Sequence, residues 1–188
     1  MTKNAELLNN ILIKGKITFI ETFPTEAFAV AKIKLDEETC LSVVFHDNMV
    51  QSLTENFKKG EIIMLKALAM GELKGKEDTT QWFVCDGIYE KSIYNEYDNV
   101  SQFIVRGDIL SIDKHEDSWM RIIIKTCFKK PGCTATFPIY LYTPDFDTED
   151  IKVNDRLCFS GSIIGGHTTD NNSTGTYDFF MEVEEIFN

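Results

Sequence analysis

Along most of this chain apolar residues alternate with polar ones, the period of strands that bury one face and wet the other. In the first half the alternation predicts five strands, near 11–22, 27–36, 39–46, 61–73 and 81–90. Between the third and fourth, Met49, Val50, Leu53 and Phe57 fall at helical spacings, so one short amphipathic helix is predicted over 48–57, ended by Lys58-Lys59-Gly60. The second half repeats the plan, with strands near 102–112, 119–129, 134–142, 156–165 and 176–187 and a shorter helix around 144–151. Three strands, a helix and two strands, the first strand long and carrying a central glycine, is the order of the five-stranded OB barrel. The expected fold is all-β with short helices, as two tandem five-stranded OB barrels.

Short matches support a duplication. Gly15-Lys16-Ile17 recurs as Gly107-Asp108-Ile109, 92 residues on, and Gly60-Glu61, Ala67 and Gly71 recur as Asn154-Asp155, Gly161 and Gly165, 94 residues on. Cys85-Asp86-Gly87-Ile88-Tyr89 aligns with Val183-Glu184-Glu185-Ile186-Phe187 at an offset of 98. Offsets that only grow are what loop insertions leave after one unit of about ninety residues is copied. The expected domains are residues 1–90 and 102–188, joined by a connector over 91–101 in which Ile93, Tyr94 and Tyr97 either pin the two units or leave them loose. The stretches 74–80 and 166–175, rich in Gly, Ser, Thr, Asn and Asp, read as mobile loops.

Charge and cysteines narrow the choice of function. The net charge is −11, with 11 basic and 14 acidic residues up to position 94 and 8 against 16 after it. A polyanionic partner therefore needs a locally basic face. Five cysteines without a CxxC pair suggest neither a disulfide framework nor a zinc site and fit a reducing cytoplasm. The start has no signal-peptide pattern and no apolar run reaches the length of a membrane span, so a cytoplasmic, membrane-free protein is expected. His46, His115 and His167 lack metal-ligand or catalytic neighbours, and HExxH, GxSxG and phosphate-loop motifs are missing, so neither an enzyme nor a cofactor or metal site is expected.

Parity places the candidate chemistry. If Ala29, Ala31, Ile33 and Leu35 line the interior, Phe28, Val30, Lys32 and Lys34 face out; if Met120, Ile122 and Ile124 are interior, Trp119, Arg121, Ile123 and Lys125 face out. Lys14, Lys16 and Arg106 join them from the first strand of each unit, and Tyr140 and Tyr142 from the third strand of the second. Trp82, Lys74 and Lys76 are placed to close over a ligand from the first long loop, His167 and Tyr177 from the second. Flat rings stack on bases and cations meet phosphates, so rings interleaved with cations on an open sheet are the chemistry of single-strand binding. A plain solvated lysine face is the competing reading.

Asn10-Ile11-Leu12-Ile13-Lys14-Gly15-Lys16-Ile17, Phe57-Lys58-Lys59-Gly60-Glu61-Ile62-Ile63, Ala67-Leu68 and Val84-Cys85-Asp86-Gly87-Ile88 resemble the single-stranded DNA-binding protein family. In the second half Arg106-Gly107-Asp108-Ile109, Val153-Asn154-Asp155-Arg156-Leu157, Phe159-Ser160-Gly161 and Glu184-Glu185-Ile186 match it more faintly. The resemblance implies a DNA path across Lys14, Lys16, Phe28, Lys32, Lys34 and Trp82, and across Arg106, Trp119, Arg121, Lys125, Tyr140 and Tyr142. Bacterial members carry an acidic recruiting tail, whereas residues 182–188 read here as the last strand.

The expectation is non-catalytic binding of single-stranded DNA, coating strands in replication, recombination or transfer for a phage or plasmid. Its partners would be single-stranded DNA, replication or recombination proteins, and a second copy of the chain in a dimer. The alternative is an acidic OB-fold interaction module, a replisome or conjugation/secretion subunit or a DNA mimic.

Overall fold

The computed structural model describes residues 8–74, 78–96, 100–114, 118–128, 130–166 and 178–187. Its ten strands are β1 (Leu8–Phe23), β2 (Phe28–Lys34), β3 (Cys40–His46), β4 (Ile62–Lys74), β5 (Asp78–Ile88), β6 (Ser101–Lys114), β7 (Trp119–Phe128), β8 (Lys130–Tyr142), β9 (Arg156–Gly166) and β10 (Asp178–Phe187), with one helix, α1 (Asn48–Asn56). The protein is thus mostly β.

The first five strands close into a barrel. β1 pairs with β2 along its second half and with β4 along its first, β2 with β3, β3 in parallel with β5, and β5 with β4. That ring is the strand order of the OB barrel, plugged by α1 through the fully buried Leu53. A single strand serves two edges because β1 bends: its register slips between Ile17 and Phe19, where a bulge sharpens the local twist. Gly15 lets the edges meet there, since a Cβ would stand 2.6 Å from the Lys34 carbonyl oxygen. Gly107 does the same beneath the Lys125 carbonyl, at 2.7 Å.

The remaining strands continue this sheet. β6 pairs with the start of β1, from Leu8 opposite Arg106 to Ile13 opposite Ser101. It also pairs with β7 and with β9; β7 pairs with β8, β8 in parallel with β10, and β10 with β9. One apolar cluster runs through both halves, from Ile13, Ile33 and Phe45 to Phe137, Phe159 and Met181. Phe83 and Phe179 meet across the junction with ring centroids 5.1 Å apart.

A buried amide fastens this junction. Asn9, 4% exposed, accepts from the Ala69 amide at 2.9 Å and donates to the Ala69 carbonyl at 2.8 Å and the Cys127 carbonyl at 3.3 Å. It thus completes β4 on one side and reaches β7 on the other. Asn9→Leu strands the Ala69 amide and two carbonyls away from water, so thermal unfolding should show a loss of about 2 kcal/mol. An unchanged melting temperature would show that the network contributes nothing.

Two sequence expectations change and one left open is settled. The segment predicted as a helix around 144–151 forms only a 3₁₀ turn, Thr143–Asp145: the run Asp145, Asp147, Glu149 and Asp150 brings like charges together, and the Asp147 carboxylate accepts the Glu149 amide at 3.3 Å, a local alternative to helix. The first long loop is mostly strand, with β4 reaching Lys74 opposite Asp78, because Thr79 and Thr80 suit extended backbone. The connector is pinned: a 3₁₀ helix, Lys91–Glu96, buries Tyr94, whose hydroxyl donates to the Tyr89 carbonyl at 3.1 Å. The second long loop, with His167 and Tyr177, lies outside the described residues, as does Lys76; nothing is described of the Lys74 side chain.

Candidate nucleic-acid interface

β2 turns Ala29, Ala31 and Ile33 inward, fully buried, and on its outer side carries the half-buried Phe28 and Val30 and the exposed Lys32 and Lys34. β3 places His46, Val44, Ser42 and Cys40 opposite these four in turn. Past its bulge β1 adds Phe19, Glu21 and Phe23 on the same side, with Phe19 44% exposed. Trp82 lies half-buried on β5, two residues from the Val84 that pairs with Val44.

The result is an aromatic step beside a row of cations. Phe23 and Phe28 stack with centroids 4.6 Å apart at 21°, and His46 lies 6.0 Å from Phe28. Lys16 stands directly opposite Lys34, with Lys32 next along β2. Two ammonium groups facing each other across antiparallel strands repel, a cost to the fold that a bound phosphate reverses. The nearby Asp36 is occupied: its carboxylate accepts from the Glu38 amide, the Thr39 amide and the Thr39 hydroxyl at 2.7–3.0 Å. Burial pushes that carboxyl up, but those hydrogen bonds outweigh it and hold it below the usual aspartate range.

The other candidate residues are placed differently. The Lys14 ammonium donates to the Tyr94 carbonyl at 2.5 Å and ties β1 to the connector, away from this face. Arg106 is half-buried on β6 between Leu8 and Cys158. In the second half Trp119 and Tyr142 are cross-strand partners, 5.2 Å apart, and Tyr140 meets Phe180 edge-on at 4.9 Å. Arg121 is only 9% exposed and pairs with Asp113 at 3.7 Å; Lys125 is exposed. Ile123, at the place of Lys32, is 1% exposed.

The contrast is sharpest where the two halves correspond. Opposite Lys125 stands Asp108 instead of a second lysine, and Asp108 takes two hydrogen bonds from Arg156, at 2.6 and 3.1 Å. Those bonds hold its carboxyl below the ordinary aspartate range. Simple alternation missed Phe19 and Phe23, because the bulge reverses which residues of β1 face out. Among the described residues no three His, Cys, Asp or Glu side chains gather to hold a metal, and no helix is long and apolar enough to cross a membrane.

A bent β1, strand order 1-2-3-5-4-1 and rings with lysines on the outer side of β1 and β2 define an OB barrel with an open, locally basic face. No protein-family model and no curated protein matches the chain. Two solved structures do share its fold: a deletion mutant of the single-stranded DNA binding protein from Thermus aquaticus (TM-score 0.63, 11% identity, covering 97% of this chain and 94% of that one) and the wild-type protein from the same organism (TM-score 0.61, 11% identity, 97% and 93%).

Proposed function

We propose that this chain binds single-stranded DNA without catalysis and coats exposed strands during replication, recombination or transfer. The carrying observation is the β2–β3 face, where Lys16, Lys32 and Lys34 stand in a row beside the stacked Phe23 and Phe28 and the exposed Phe19. Phosphates would meet the ammonium row and bases the rings, with Trp82 as a further stacking surface. Similarity of fold to the Thermus aquaticus structures supports the reading. We infer further that the chain is two tandem OB barrels, 1–90 and 102–188, the pairings of β6 to β10 repeating those of β1 to β5. The net charge of −11 argues that affinity is local to one face and so strongly dependent on salt.

The test is anisotropy of a labelled oligothymidine titrated with the full chain over a salt series. Affinity should fall linearly on a log–log plot, with a slope of about −2 if the three lysines each meet one phosphate. Binding that is absent at low salt, or indifferent to salt, rejects the proposal. The second reading, an acidic interaction module, draws on a different observation in the second half.

A further inference from the structure

The corresponding face of the second half keeps the rings but sets carboxylates among its cations. Its rows are Trp119, Arg121, Ile123 and Lys125 on β7 opposite Tyr142, Tyr140, Pro138 and Thr136 on β8. Next to Tyr140, β10 contributes Glu182 in register, 98 residues on from Val84 of the first face. Phe180, correspondingly, takes the place of Trp82 and packs edge-on against Tyr140. An apolar centre has become a carboxylate between aromatic rings.

No ion-pair partner of Glu182 occurs among the described residues, and the one arginine on this face is engaged by Asp113. Burial raises the Glu182 carboxyl above the usual range, and the like charges of Glu184 and Asp145 raise it further. Ser162 donates to Glu184 at 2.5 Å, which holds a second carboxylate beside the first. A phosphate laid against Glu182 would add its charge to an existing repulsion. A cation would relieve it, and a guanidinium suits the site best, since it stacks flat on aromatic faces and bridges to carboxylate oxygens in pairs.

We propose that the aromatic face formed by Trp119, Tyr140, Tyr142 and Phe180 around Glu182 is a docking site for an arginine-rich polypeptide segment of a partner protein. The two halves then divide the work: the first face holds the strand and the second recruits a basic protein to it. The inference goes beyond the single-strand reading and is tested separately from it.

The probe is fluorescein-labelled nona-arginine, added to the full chain at near-physiological salt and read by anisotropy. Glu182→Gln, close to isosteric, should weaken binding about tenfold, whereas Glu55→Gln on the exposed surface of α1 should change it less than twofold. Equal losses in the two variants would assign the binding to diffuse negative charge and overturn the proposal, as would failure of the wild-type chain to bind. Oligothymidine affinity should be the same for Glu182→Gln as for wild type; tighter binding would make the second face a nucleic-acid surface and also overturn it. Absence of oligothymidine binding by the wild-type chain would reject only the reading of the first face.

Discussion

Replacing Lys32 and Lys34 together by glutamate is expected to lower oligothymidine affinity about a hundredfold at low salt and to flatten the salt dependence by about 1.4 in log–log slope, the share of two phosphate contacts on a single strand. Both ammonium groups are exposed on β2 and neither forms an ion pair among the described residues, so the fold should survive the change. Phe28→Ala separates the other component. It removes one side of the stack with Phe23 and should cost about 1–3 kcal/mol of binding while leaving the slope as it was. If the lysine pair alters neither affinity nor slope, with circular dichroism showing a native spectrum, phosphates do not lie on this face.

The second large effect concerns the junction of the halves. Gly71 on β4 sits so close to β8 that a Cβ there would collide with the Thr136 carbonyl oxygen and stand 2.9 Å from the Phe137 Cβ and 3.0 Å from the Thr80 carbonyl oxygen. Two of the three obstacles are backbone atoms, which cannot swing aside as a side-chain tip does. Gly71→Ala should therefore destabilise the chain by about 3 kcal/mol, at the upper end of overpacking costs. Gly87→Ala supplies the contrast, because a Cβ at Gly87 meets nothing within 4 Å. Equal melting temperatures for the two variants would mean that β4 and β8 are not in this contact.

The lost stability should be felt by both halves at once. Phe83 with Phe179, Asn9 with Ala69 and Cys127, and β1 with β6 all cross the same boundary, so opening it exposes apolar surface and orphaned polar groups on both sides. The Thr126 hydroxyl, held by the Leu8 and Arg106 carbonyls at 2.9 and 2.7 Å, adds a further tie.

What the sequence settled by itself was whatever depends on neighbours along the chain. Alternation located the strands and the inside of β2, with Ala29, Ala31 and Ile33 buried and Lys32 and Lys34 out, because a pleated strand turns successive side chains to opposite faces. Spacing placed α1, and the recurrence of Gly15 as Gly107 marked the crowded bend in each half. Tertiary structure decided everything that depends on which strands become neighbours. The bulge in β1 brought Phe19 and Phe23 to the candidate face, and the connector drew Lys14 away to the Tyr94 carbonyl. Pairing set Asp108 opposite Lys125 but Lys16 opposite Lys34, and laid Glu182 beside Tyr140, although each of these residues looks unremarkable within its own strand. A side chain's direction is fixed locally by backbone geometry, but the sign of the field it meets comes from charges delivered by strands distant in sequence.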